Sequence, residues 1–337
     1  MTLSILILGF LFGAALQYAS LNKYNVISGM ATLENLTVAK AIAMAIGVGI
    51  ILVNLEIGLG LATSHVKPFL LTGVVLGGLI FGMGMAILGY CPGTLAISLG
   101  EGSLDALTGI IGGILGGLIY TLVLPSIEPL LGINLGKSSL HLLTGEHPTV
   151  FYLLAVFIGL AFIAAAFGVH KLEQTSNRKW IIAGIALAVL NAIAFLSSTF
   201  NKPIGASTLY PYLGDWLSGT TANPYFEKIR SSGSWQLIFL GGALLSGLVL
   251  SLLRKDFKLV LIHENWKKYK GNSSVKRVIW AFTGGFIMIF GARMAGGCTS
   301  GHVISGGMQL AVSSLVFAMF VFAGLLGTGK LFYKMKR

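Results

Sequence analysis

The sequence predicts an all-α integral membrane protein: about nine transmembrane helices, short re-entrant membrane-inserted helices, and two inverted, pseudo-symmetric repeats. Three observations carry that reading. Only 10% of the 337 residues are charged, 55% are hydrophobic and the mean hydropathy is +0.85, whereas a soluble domain carries about 25% charged residues to hydrate its surface. Apolar stretches recur at the roughly 20-residue length that spans a hydrocarbon core as helix. A glycine–cysteine segment occurs twice. This composition excludes a soluble globular enzyme, and it excludes a disordered chain, which needs low hydrophobicity and high charge.

The apolar stretches fall at 3–20, 37–61, 69–88, 104–124, 150–169, 180–198, 235–253, 278–295 and 310–329. The first lacks the basic flank of a signal peptide and is read as a span. Lysine and arginine set the direction. With the C-terminus in the cytoplasm, 17 of the 23 basic residues fall inside and 5 outside (Lys67, Lys137, Lys202, Lys228 and Arg230), while Arg293 lies within a span. The expected topology is therefore N-terminus out and C-terminus in, across a bacterial or archaeal cytoplasmic membrane. The net charge of +12 does not imply nucleic acid, because apolar spans separate the cations and juxtamembrane charge facing anionic lipid accounts for it.

Gly77-Gly78 through Cys91 and Gly284-Gly285 through Cys298 match in constant register, with Gly84 on Gly291, Gly89 on Gly296 and Ser98 on Ser305. A weaker echo pairs Leu21-Asn22-Lys23 with Phe200-Asn201-Lys202. Five spans separate the two cysteines, an odd number, so the copies enter the membrane from opposite sides. The halves are read as 1–149 and 150–337, interlocked in one membrane domain. Inverted repeats with broken elements near the midplane characterise transporters, with substrate held at the repeat interface; the alternative is an old duplication that serves packing alone.

Cys91-Pro92-Gly93-Thr94 and Gly297-Cys298-Thr299-Ser300 interrupt their helices with almost no charge nearby. Breaks this apolar suit re-entrant elements, whose free backbone groups are tolerated at depth only inside protein or beside a cavity. Thr94, Thr299 and Ser300 are candidate caps for short helices whose N–H groups favour anions. The chain has only two cysteines, which excludes a disulfide scaffold and a four-cysteine metal site. Thiols at these points can donate S–H hydrogen bonds and contact soft sulphur, and they are expected neutral, since a thiolate repels an anion. Arg293 either attracts an anion or snorkels to headgroups. His302 lacks partners for a metal site and is read as a polar pore residue or a satisfied histidine. Glu56, Glu101 and Asp105, near span ends, are read as hydrated or paired. Neither metal nor cofactor is expected.

Phe81-Gly-Met-Gly-Met-Ala-Ile-Leu-Gly-Tyr-Cys-Pro-Gly-Thr94, Phe290-Gly-Ala-Arg-Met-Ala-Gly-Gly-Cys-Thr-Ser-Gly-His302 and Lys23-Tyr-Asn-Val-Ile-Ser-Gly29 resemble the YeeE/YedE membrane family of sulphur-compound transporters. The resemblance implies an hourglass of inverted repeats in which short membrane-inserted elements bring cysteines to the centre, where they relay thiosulfate by S–H hydrogen bonds. The matching cysteines are Cys91 and Cys298. The thiosulfate carriers have a further cysteine after the first span, where this chain has Asn25; asparagine still donates hydrogen bonds but cannot exchange sulphur, which leaves sulfide, sulfite, polysulfide or a selenium analogue as alternative cargo. The expected substrate-binding set is Cys91, Cys298, Arg293, Asn25, Pro92, Gly93, Thr94, Gly297, Thr299, Ser300 and His302. The competing readings are a membrane thiol oxidoreductase and a membrane partner that docks a cytoplasmic sulphur-carrier protein on its basic 254–277 segment.

Overall fold

The computed structural model describes residues 1–143 and 148–333. Lys334, Lys336 and Arg337, three of the cations in the orientation count, lie outside the described residues. The described chain is helical, with isolated backbone bridges in place of strands. The first half runs α1 Thr2–Tyr18, α2 Tyr24–Ala31, α3 Thr37–Gly58, α4 Leu71–Leu88, α5 Pro92–Gly100, α6 Leu104–Ile127 and the short α7 Leu140–Leu143. The second runs α8 Pro148–Glu173, α9 Lys179–Phe195, α10 Leu209–Ser218, α11 Pro224–Leu253, α12 Glu264–Lys270, α13 Ser274–Met294, α14 Ser305–Met308 and α15 Val312–Phe332.

Each of the nine expected spans has its helix. Seven reach the length and hydropathy of a membrane crossing; α1 and α9 are shorter apolar helices of 17 residues each. The helix expected from residue 235 starts instead at Pro224, because Asn223 Oδ1 accepts from Phe226 N at 2.7 Å and proline occupies the first turn, where no N–H is needed. Glu227, Lys228 and Arg230 hide that extension from a search for apolar runs.

The two breaks are built alike. Gly89 (φ 79°) and Gly296 (φ 75°) take the left-handed conformation that stops a helix. After the first, Pro92 opens α5, whose nine residues extend roughly 13 Å at 1.5 Å per residue, too little to cross. After the second, a π-helical turn at Thr299–Ile304 leads into α14.

Glycines let the repeat-related helices α4 and α13 pack closely and antiparallel. A Cβ on Gly77 would lie 2.7 Å from Gly291 O and 2.7 Å from Ala295 N; one on Gly284 would lie 2.7 Å from Leu88 N. One on Gly291 would lie 2.5 Å from Phe81 N, and one on Gly84 would overlap the backbone of Met288. Leu88 corresponds to Ala295 and Phe81 to Met288 in the repeat register, so each contact has its reciprocal, as a two-fold relation requires. In lipid, where apolar burial does not drive helix association, such small-residue approaches supply the packing. The halves also exchange partners: α1 packs on α11 and α9 on α3, while α15 packs on α4 and α6 on α13. Asn22-Lys23 and Asn201-Lys202 occupy the turns after α1 and α9. Helix α8 packs on α3 and is the least buried span.

At one end of the bundle the chain between α11 and α13 is stitched over the α5–α6 turn, with Leu104 N donating to Val260 O at 2.8 Å and Val260 N to Gly102 O at 2.9 Å. Beneath it Asp105 and Arg277 form a fully buried pair, Nη2 to Oδ2 at 2.5 Å, joined by His263 at 3.1 Å. Glu101 accepts from Gln17, Asn22 and Lys23 at 2.7–2.8 Å. Glu101 and Asp105 are thus paired, whereas Glu56 keeps one carboxylate oxygen buried without a partner.

Candidate functional site

At the opposite end the loops before α4 and before α10, the loop before α7, and the ends of α11 and α13 surround a vestibule of about 490 Å³. Lys67, Lys137, Lys202, Lys228 and Arg293 line it, and among the described residues no aspartate or glutamate does. Cations gathered in a cleft favour negatively charged solutes over positive ones.

Arg293, at the end of α13, is 8% exposed. Its Nε donates to Tyr225 Oη at 2.7 Å, and its Nη1 to Thr208 Oγ1 at 3.1 Å and Ser207 Oγ at 3.3 Å. Those neutral oxygens fix the guanidinium and leave its charge uncompensated; the side chain does not snorkel outward. Thr208 is itself held by Gln236 of α11, whose Oε1 accepts from Thr208 N at 2.7 Å and caps α10. Lys67 stands beside it, its Nζ donating to Gly296 O at 2.9 Å. Burial pushes its pKa down to about 8, and the Arg293 guanidinium adds to that shift.

Further in, a second cavity of about 50 Å³ is lined by Cys91 and Thr94 from the first copy and Thr299 and Ser300 from the second. The rest of its wall is apolar, including Phe12, Leu16, Leu21, Ile27 and Met30. The copies touch here: a Cβ on Gly93 would lie 3.3 Å from Ser300 Oγ. Cys91 is the N-cap of α5, its sulphur accepting from the Thr94 backbone, while Thr94 Oγ1 accepts from Cys91 N at 3.0 Å and returns a hydrogen bond to Cys91 O at 3.0 Å. The cap is therefore the cysteine, with the expected threonine completing the box. Tyr210 pins this turn by donating to Pro92 O at 3.0 Å. In the second copy Cys298 precedes the π turn and neither Thr299 nor Ser300 caps it. Thr299 Oγ1 is buried, faces the cavity and has no hydrogen-bond partner among the described residues. Cys298 is 1% exposed and lines neither cavity; it follows Gly297, whose added Cβ would meet the Lys67 ammonium.

Of the expected site residues, Pro92, Gly93, Gly297 and Cys298 adjoin the breaks without lining either cavity, and Asn25 and His302 are engaged elsewhere. Asn25 lines neither cavity; its Oδ1 accepts from Asn265 N at 3.1 Å and its carbonyl from Asn265 Nδ2 at 3.0 Å, which ties α2 to α12. His302 is fully buried, bonded to Ser314 Oγ at 2.7 Å and Ala295 O at 3.1 Å and stacked on Phe317, the satisfied histidine rather than the pore residue. The four vestibule lysines were legible only as outward charge. Their signal was that they sit together at the end of the protein where the charge count expects few cations.

Apolar helices that cross between two halves, broken segments that meet inside the bundle and a cation-lined vestibule are the layout of a multi-pass membrane transporter. The chain belongs to the sulphur-transport family, which it matches over residues 22–326. It is 26% identical over 333 residues to the thiosulfate transporter TsuA of Spirochaeta thermophila, covering 95% of each chain. Family and relative together place it among membrane transporters of sulphur compounds.

Proposed function

We propose that the chain takes up a small sulphur oxyanion, thiosulfate foremost, with its N-terminus outside, its C-terminus in the cytoplasm, and the halves 1–149 and 150–337 as inverted repeats. The anion collects in the vestibule, ion-pairs with Arg293, passes Cys298 and enters the cavity of Cys91. There Thr94, Thr299, Ser300 and neutral thiols replace its water as hydrogen-bond donors. The observation that carries this reading is the run of uncompensated cations leading to polar groups contributed by both copies of the repeat. Four of the five cations that the charge count puts outside line that vestibule, and the relative's named cargo is thiosulfate.

The test is uptake of labelled thiosulfate by purified protein in liposomes. Cys91→Ala and Cys298→Ala are each expected to slow uptake by about tenfold, the rate equivalent of one weak hydrogen bond lost at the barrier. Undiminished uptake in both variants overturns the relay. A wild type that carries sulfite, sulfide or a selenium analogue but not thiosulfate overturns the cargo, and one that carries nothing favours the docking role.

A further inference from the structure

Between the vestibule and Cys298 stands one movable charge. Lys67 comes from the loop between α3 and α4, which is fastened on both sides: Phe69 N donates to Gly136 O at 2.8 Å, and Lys67 O accepts from Ser313 Oγ at 3.4 Å. The side chain reaches from that anchored backbone into the turn before Cys298. Its Nζ donates to Gly296 O and occupies the place where a Cβ on Gly297 would be, and it lies 3.3 Å from where a Cβ on Gly301 would be. On the far side of that position Gly301 approaches Gly205, whose Cα would lie 3.5 Å from the same Cβ. The ammonium thus fills the gap left by glycines, and Cys298, the next residue after Gly297, is buried.

The hold on this ammonium is a single bond. It is bonded to a neutral carbonyl and, among the described residues, forms no ion pair. That bond is charge-assisted on the donor side only, whereas an entering oxyanion adds the opposite full charge. A lysine turns on a flexible four-carbon stem, whereas the guanidinium of Arg293 is held at three oxygens. We propose that Lys67 is the outer gate of the path: its ammonium plugs the entrance to Cys298, and an arriving anion draws it off the Gly296 carbonyl, so that the ligand that opens the way is the ligand that is carried. A neutral or cationic solute gains no such exchange, so the gate also selects charge. Arg293 is then the fixed receiving cation and Lys67 the moving one.

The nature of the cargo rests on the uptake proposed above; the gate is tested without cargo. In a Cys91→Ala background Cys298 is the sole thiol, and its modification by a membrane-impermeant methanethiosulfonate is timed in intact protein. Removing the plug by Lys67→Ala is expected to speed modification about tenfold, the factor for 1.4 kcal/mol of lost closure, even though losing a nearby cation makes the thiol less reactive. Lys67→Met, which keeps the stem and removes the charge, is expected to speed it as well. Arg230→Ala, exposed and outside the vestibule, serves as the control for general loosening and leaves the rate unchanged. Equal rates for the wild-type and both Lys67 proteins overturn the gate while leaving uptake standing; faster labelling with no thiosulfate uptake keeps the gate and overturns the cargo. Where thiosulfate is carried, Lys67→Met raises KM about tenfold with little change in maximal rate.

Discussion

Two cations that the fold brings to the turn around Cys298 behave differently because of what holds them. Arg293 is rigid, bonded to Tyr225, Ser207 and Thr208, so a shorter or rounder cation cannot take its place. Arg293→Lys keeps the charge but loses the forked donor geometry; thiosulfate KM is expected to rise between about tenfold and a hundredfold, the range for one or two charged hydrogen bonds, as measured in liposomes. Lys67 is mobile and titrates. Its pKa of about 8 means the ammonium is present below that pH and lost above it. Affinity for the anion is therefore expected to fall as external pH rises through about 8, with a residue of binding left because Arg293 stays charged. His65, Lys137, Lys202 and Lys228 share the vestibule and Cys298 lies near Lys67, and the profile should flatten in Lys67→Met if Lys67 is its source. The sequence marked Arg293 as costly but could not say whether it snorkelled, since its three partners come from α10's approach and α11.

At the scale of elements, glycine decides where helices stop and how near they come. The breaks at Gly89 and Gly296 were readable from residue type, but the identity of the cap was not: a cysteine sulphur accepting from Thr94 is set by the backbone path of α5. Tyr210→Phe removes the bond that anchors this turn through Pro92 O; a loss of about 1 kcal/mol in stability is expected, read as a lower midpoint in thermal unfolding in detergent. Cuts deeper into the fold cost more. Asp105→Asn strands the fully buried Arg277, for which about 3–5 kcal/mol is expected, while replacing both members with apolar residues of similar size recovers most of the midpoint. Equal midpoints for the single and double variants would show that the pair does not act as a unit. Gly84→Leu forces α4 off the Met288 backbone and is expected to abolish the folded form rather than weaken it, visible as aggregation in size-exclusion chromatography.

At the scale of the whole molecule the two-fold relation joins the ends. Both copies contribute a turn to the inner cavity, yet the ends of the bundle differ in charge: Lys23 is neutralised by Glu101 and Arg277 by Asp105 at one end, while at the other no described aspartate or glutamate lines the vestibule with its cations. The proposed orientation predicts that a reporter fused at the C-terminus is active only in the cytoplasm, and an external reporter there would reverse the direction of transport argued above. Nine spans, two glycine–cysteine breaks and their opposed entry were determined by the sequence itself, because hydropathy, residue type and the parity of crossings are local properties that add along a chain. The vestibule, the pairing of Glu101 and Asp105, the position of Asn25 and His302 outside both cavities, and the meeting of Gly93 with Ser300 were decided only by tertiary structure. Each depends on residues far apart in the chain arriving within a few ångströms, and no local pattern encodes that distance: an unpaired cation and a paired one look the same until the fold shows which acid stands beside it.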